Sequence, residues 1–253
     1  MNTTTFTTLS IIIPVYNEGP TVHLILDKVT AVVLPEGIQK EILVVNDCST
    51  DDTEAAIARY QAAHPEQQLQ YVAHAINKGK GAAIHTGISL ATGQYTLIQD
   101  ADLEYDPEEY TILLKPVLDG FADVVYGSRF MGGNAHRVLF FWHTIGNKFL
   151  TILSNVFTNL NLTDMETCYK VMTRKVANSL QITENRFGLE PQITAQIAAM
   201  RVRIFEIPIS YNGRTYEEGK KITWKDGFSA LRCIVKYNLP KHKKRARRRY
   251  LEA

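Results

Sequence analysis

Cysteine is scarce in this chain. Cys48, Cys168 and Cys233 are the only three in 253 residues and lie far apart without metal-ligand spacing, so neither a disulfide framework nor a thiolate metal site is written into it, and a reducing, cytosolic setting is expected. No run approaches the ~18 consecutive apolar residues of a membrane-spanning helix, and the start, MNTTTFTTLS, has neither the basic nor the apolar stretch of a secretory signal. The N-x-T sites at Asn2 and Asn161 therefore carry no expectation of glycosylation. Nine Pro and fifteen Gly exclude collagen-like and low-complexity chains. No internal repeat and no linker divides the sequence. Also missing is a Gly-rich phosphate loop after the first apolar run, where Pro14-Val15-Tyr16-Asn17-Glu18 stands instead; this weighs against sugar nucleotidyltransferase chemistry.

With 45% hydrophobic residues, the chain can bury one sizeable core. Its formal charge of +2 hides an asymmetry. Lys241, Lys243, Lys244, Arg245, Arg247, Arg248 and Arg249 supply seven positives, and without them 21 basic face 26 acidic residues, a body at −5. Residues 1–239 are expected to form one domain, and 240–253 a basic tail.

Short β-branched runs at 9–15, 41–45, 69–73, 95–99 and 123–127 alternate with helical patterns at about 21–33, 52–64, 79–90 and 107–118. This predicts right-handed crossovers in an α/β, mostly parallel sheet with helices on both faces. Ligands in such sheets lie beyond the carboxyl ends of the strands. The loops from Pro14, Asn46 and Asp100 are therefore the places to look. Further on, 138–160 carries an apolar helical stripe opposite His143, Asn147, Lys148, Ser154, Asn155 and Asn159. It reads as an amphipathic element with a break near Gly146, either a core helix or a face rich in Phe and Trp at a membrane surface. TCYKVMT at 167–173 and RVRIFEIPI at 201–209 read as strands, with helices at 189–200 and 224–237. Glu190, just before Pro191, reads as a helix-start residue.

The strongest chemical signal is Asp100-Ala101-Asp102, with Glu104 two residues on, directly after the fourth strand. Paired carboxylates at a strand end can hold a hard divalent cation that also binds two phosphates. Asp47 can accept hydrogen bonds from a base N–H or cap the next helix, a duty for which Ser49 and Asp51 also qualify. Arg129 offers a planar fork suited to phosphate. His136, His143 and His242 show no metal spacing.

Taken in order, Ile13-Pro14-Val15-Tyr16-Asn17-Glu18, Val45-Asn46-Asp47-Cys48-Ser49-Thr50-Asp51, Asn77-Lys78-Gly79, Asp100-Ala101-Asp102 and Gly127-Ser128-Arg129 resemble glycosyltransferase family 2. The similarity is greatest to its dolichyl-phosphate mannose and polyprenyl-phosphate glucose synthases, over roughly 9–239. The resemblance implies a GT-A fold and inverting transfer of a hexose from a nucleotide sugar of the UDP-glucose or GDP-mannose type. It places Pro14, Tyr16 and Glu18 at the nucleotide, Val45 and Asp47 at its base, and Ala101 with its backbone towards it. It assigns Asp100, Asp102 and Glu104 to Mg²⁺ or Mn²⁺, although relatives carry Gln at the Glu104 position and a second Asp at the Asn46 position. Arg129 falls among the phosphates, and Arg214 and Lys220 lie on a loop that closes over them. Asp102 and Arg129 are the residues expected to act in the chemistry.

The acceptor decides whether a base is needed. A hydroxyl must lose a proton, and Asp164 and Glu166 on the acceptor side are the candidates to take it; a lipid phosphate is already a nucleophilic anion. Arg137, His136 and Arg129 suit a phosphate held at a membrane surface, so a polyprenyl-phosphate acceptor on the inner, cytoplasmic membrane face is expected. Attachment would be peripheral, through the amphipathic stretch and the tail on anionic lipid or through a membrane partner protein. Transfer to a hydroxyl of a saccharide or lipid, and nucleic-acid binding by the tail, are the rival readings.

Overall fold

The computed structural model describes residues 7–35, 37–132, 137–138, 140–186, 188–215, 217 and 224–253. Strands β1 (Thr7–Val15), β2 (Ile38–Asn46), β3 (Gln70–Ala73), β4 (Tyr95–Ile98), β5 (Val124–Ser128), β6 (Lys170–Thr173) and β7 (Ile204–Pro208) form one seven-stranded sheet. Helices α1 (Val22–Ala31), α2 (Thr53–Ala63), α3 (Lys80–Leu90) and α4 (Tyr110–Leu118) alternate with the first strands as the sequence predicts. Then come α5 (Phe141–Thr158), α6 (Arg174–Ser179), α7 (Leu189–Met200), α8 (Trp224–Asn238) and α9 (Pro240–Glu252).

The sheet order is β3-β2-β1-β4-β6-β5-β7. The apolar run Leu9–Val15 makes β1 a central strand, buried from Leu9 onward and flanked in parallel by β2 and β4. From β1 the chain moves outward through β2 and β3, then crosses back to place β4 on the other side of β1. That reversal opens a crevice between the carboxyl ends of β1 and β4. Pro14–Glu18 and Asp100–Glu104 leave the sheet on its two sides. β6 runs antiparallel between β4 and β5, the one reversed strand in an otherwise parallel array, and β7 is the edge strand ending at Pro208.

Two segments differ from expectation. Within the 138–160 stripe, Phe141–Thr158 forms one uninterrupted helix, α5, with no break at Gly146; a helical glycine costs about 1 kcal/mol against alanine, which one turn can absorb. Moreover, the polar side of α5 faces inward. Thr151 and Ser154 are its buried residues, and the Asn155 side chain exchanges hydrogen bonds with the Leu162 backbone at 2.8 and 3.1 Å. Phe141, Trp142, Phe149, Ile152 and Val156 stand 56–76% exposed, so the core-helix reading is set aside. The basic tail, in turn, is the helix α9 rather than a bare run of charge. Lys243 donates to the Phe157 carbonyl (2.6 Å), Arg247 to Met200 (2.7 Å) and Arg249 to Ser179 (3.0 Å). Three of the seven positives thereby satisfy carbonyls at the ends of α5, α7 and α6.

Candidate active site

On the β4 side of the crevice, Gln99 is fully buried and its amide is saturated. Its Oε1 accepts from Tyr110 Oη and Tyr169 Oη, each at 2.7 Å, and its Nε2 donates to the Asp100 carbonyl at 2.9 Å. The strand end that presents the acidic motif is thus fixed from below. Leu103 takes a left-handed turn (φ 63°) between Asp102 and Glu104. Asp100 Oδ1 pairs with Lys80 Nζ at 2.6 Å. Arg214 spans the rest of the cluster, with Nη2 3.0 Å from Asp102 Oδ2, Nε 3.5 Å from Glu104 Oε1 and Nη1 4.0 Å from Glu18 Oε1. Burial, then the neighbouring Asp100 and Glu104, push the Asp102 carboxyl up to about 7 against the pull of Arg214 and Lys80.

Hard carboxylate oxygens suit Mg²⁺ or Mn²⁺, and a crowded acidic cluster that draws in two side-chain cations fits such an ion. Among the described residues, however, no three carboxylate, His or Cys side chains converge on one ion position. The carboxylates of the expected shell, Asp100, Asp102 and Glu104, are paired here with Lys80 and Arg214.

Farther out on the same side, beyond β6, the end of β5 carries Arg129. Its Nε and Nη2 grip Asp164 Oδ2 and Oδ1 at 2.6 and 2.8 Å, its backbone N adds a third bond at 3.1 Å, and its guanidinium lies 5.0 Å from the Tyr211 ring centroid. Asp164 is wholly buried. Both carboxylate oxygens of this residue, a candidate base by sequence, accept from Arg129. The Glu166 carboxyl is buried, its Oε1 has no hydrogen-bond partner among the described residues, and burial with nearby Glu190 pushes it up to about 8. Arg137 donates its backbone N to the Tyr211 carbonyl (2.9 Å) and its Nη1 to the Gly213 carbonyl (3.2 Å).

The expected nucleotide loop is only partly open. Tyr16 is 39% exposed at the cleft mouth, and Pro14, Val45 and Ala101 are buried. Asp47 is taken by its own chain. It accepts from His74 Nδ1 (2.7 Å), Lys78 N (2.9 Å) and Gly79 N (2.5 Å), a clip that requires Gly79 at φ 93°, where a Cβ would sit 2.3 Å from the Asn185 carbonyl oxygen. At the start of α2 the N-cap is Asp52, whose side chain makes no capping bond, while Asp51 just before it accepts from the Thr53 N and Oγ1. Lys220 and His136 lie outside the described residues.

A family model, glycosyl transferase family 2, matches residues 10–180. The chain belongs to glycosyltransferase family 2. Among curated relatives in that family's lipid-phosphate branch, dolichyl-phosphate beta-glucosyltransferase ALG5A of Trichomonas vaginalis is 28% identical over 81% of this chain and 65% of its own length. Dolichol-phosphate mannosyltransferase of Pyrococcus furiosus is 24% identical over 90% of this chain and 63% of its own. The chain thus spans somewhat under two thirds of these relatives. Glucosyl-3-phosphoglycerate synthase from Mycobacterium tuberculosis, solved with Mn²⁺, UDP and phosphoglyceric acid, superposes with a TM-score of 0.70 at 16% identity, covering 92% of this chain and 79% of that one, which establishes the GT-A fold.

Several residues of this glycosyltransferase site escape the motif reading. Lys80 follows the Asn77-Lys78-Gly79 motif by one residue and was within reach of it. Tyr211 and the buried Lys170–Glu190 pair carry no local signature, since their partners are distant in sequence. Glu190 does open α7 as expected, and in addition it neutralises Lys170.

Proposed function

We propose that this chain is an inverting, metal-dependent transferase that moves a hexose from a UDP- or GDP-sugar to a polyprenyl phosphate. The observation that carries the choice of acceptor is the Arg129–Asp164 pair. Its guanidinium is held fixed by Asp164, and of the carboxylates nominated for proton abstraction one is engaged (Asp164) and the other is pushed up to about 8 (Glu166). A phosphate acceptor needs orientation and no base, so a cleft equipped in this way favours phosphate over hydroxyl.

In this reading Asp100, Asp102 and Glu104 would hold Mg²⁺ or Mn²⁺, which neutralises the leaving diphosphate. Tyr16 and Glu18 border the nucleotide, and Asp47 keeps the loop at Lys78 and Gly79 in place beside it. Arg214 exchanges its carboxylate partners for diphosphate oxygens as the donor enters, and Lys220 follows on the same loop. Arg129 orients the acceptor phosphate, with Arg137 beside it on the acceptor side. The exposed apolar side of α5 and the exposed Lys241, Lys244, Arg245 and Arg248 of α9 support attachment to an anionic membrane surface, and the three free cysteines fit its cytoplasmic side. No helix among the described residues is long and apolar enough to cross a bilayer.

The test is transfer of radiolabel from UDP-glucose and GDP-mannose, with Mg²⁺ or Mn²⁺, into organic-extractable product with and without polyprenyl phosphate. Phosphate-dependent label in the lipid phase is expected. Donor hydrolysis without lipid product would favour a hydroxyl acceptor, and inertness towards every nucleotide sugar would overturn the reading.

A further inference from the structure

Tyr211 lies just outside every motif of the sequence, yet it touches both the acidic cluster and Arg129. Its hydroxyl donates to Glu104 Oε2 at 2.7 Å. The Arg129 guanidinium carbon lies over its ring at 5.0 Å, and its carbonyl accepts the Arg137 backbone N at 2.9 Å. The ring also packs against Tyr105, with centroids 5.4 Å apart, and Asn212 N, the next residue, donates to the Glu104 carbonyl at 3.0 Å. The other oxygen of Glu104, Oε1, accepts from the Arg214 backbone N at 2.8 Å. Both oxygens of that carboxylate are thus aimed by residues 211–214.

We propose that Tyr211 is a positioning residue that ties the carboxylate cluster to the phosphate-facing arginine: its hydroxyl orients Glu104 while its ring orients Arg129. The inference rests on the transferase reading above. Packing alone does not account for the contacts, because a phenylalanine would fill the same space against Tyr105 and carry Arg129 equally well. Among the described residues the hydroxyl bonds Glu104 alone. Partners that orient a metal-ligating carboxylate typically set metal affinity by about 10- to 100-fold, and an aromatic face beneath a guanidinium contributes about 2- to 30-fold. Because one rigid ring makes both contacts, a reorientation of Glu104 shifts the seat of Arg129, and the two sites influence each other reciprocally.

The two halves separate by substitution. Tyr211→Phe is expected to weaken Mn²⁺ binding to the metal-free protein, read by electron paramagnetic resonance without any donor, by about tenfold, with acceptor KM unchanged. In a Glu104→Gln background the same substitution should have no further effect. Tyr211→Leu is expected to raise acceptor KM as well, by about 2- to 30-fold. Tyr211→Phe binding Mn²⁺ as the unaltered protein does would overturn the proposal, as would full additivity with Glu104→Gln or an acceptor KM indifferent to loss of the ring. An unaltered protein that transfers no sugar and binds no Mn²⁺ would overturn the transferase reading and this inference together, whereas an active one matched by Tyr211→Phe in every readout sinks this inference alone.

Discussion

Replacing Asp164 distinguishes a carboxylate that holds Arg129 from one that takes a proton. Its side chain is fully buried and that of Arg129 is 14% exposed, and the two share three hydrogen bonds of 2.6 to 3.1 Å. Removing one member of a buried pair leaves an uncompensated charge at a cost of about 3–5 kcal/mol. Because Arg129 keeps slight solvent contact and the Tyr211 ring, about 3 kcal/mol is the appropriate figure for Asp164→Ala. For a chain of this size that lowers Tm by roughly 6–12 °C, which calorimetry or a thermal-shift assay reads directly. Arg129→Met with Asp164→Leu deletes both charges and should regain most of the loss, since apolar replacements of buried ion pairs are often neutral. Transfer should fail in both cases, because the phosphate-orienting fork is displaced or gone. A base would behave oppositely: Asp164→Asn would melt as the unaltered protein does, bind acceptor normally and turn over nothing. That result, or a melting shift under about 2 °C for Asp164→Ala, would refute the reasoning.

Three further outcomes follow from the charges. Asp102, held at about 7 without a cation, must lose its proton to bind one, so Mn²⁺ affinity should climb about tenfold per pH unit from 5.5 until it levels off near 7. A profile flat over that range excludes Asp102 as a ligand. Glu166, pushed up to about 8 in the fold from an unfolded value near 4.3, contributes stability that is complete below that value and lost as pH rises through 8. Glu166→Gln should therefore gain on the unaltered protein in Tm between pH 5 and 9, and a constant difference would show that the group titrates normally. On α9, Lys241→Glu with Lys244→Glu and Arg245→Glu should cut partition into anionic vesicles by at least roughly 100-fold, taking about 1 kcal/mol per basic residue, with Tm unchanged. By contrast, Arg249→Ala, which loses bonds to Ser179, Gln181 and Gln196, should lower Tm and leave partition nearly intact.

What the sequence discloses is governed by how local the determining interaction is. The run Leu9–Val15 marks a doubly covered strand by composition alone, and Leu189–Met200 appears at its true bounds because Pro191 sits in the first turn, where proline is tolerated. The direction of β6 is not in its residues. TCYKVMT would alternate identically either way, and its antiparallel place is decided by pairing with β4 and β5 far along the chain. Helix α6 has six residues, too few for a period to show. The tail reads as charge because charge dominates its composition, although Pro240 at the first turn is a helix-start signal and the helix ends that its arginines cap are visible only in three dimensions. In the site, the acidic motif and Arg129 are legible as residue types. That Asp164 is spent on Arg129, and that Asp47 is enclosed by the amides of Lys78 and Gly79, depends on chain crossings that no spacing records.

The cleft has one electrostatic problem that its own side chains already solve. Glu18, Asp100, Asp102 and Glu104 crowd its donor wall, and Lys80 and Arg214 lie among them. Four carboxyl groups beside a diphosphate would repel it at close range in a medium of low effective dielectric. With the two cations engaged, the wall holds together without ligand, and Asp102 near 7 gives up part of its charge as well. In the proposed reading, carboxylates engaged by a divalent ion would free Lys80 and Arg214 to serve as counter-charges for the diphosphate. Lys80 is anchored at the first turn of α3, whose amino terminus already favours anions, whereas Arg214 rides on the segment that Tyr211 and Asn212 fasten to Glu104. In that reading the two cations are suited to different steps: Lys80 would mark the diphosphate seat in advance, and Arg214 would close it once Asp102 and Glu104 had another partner.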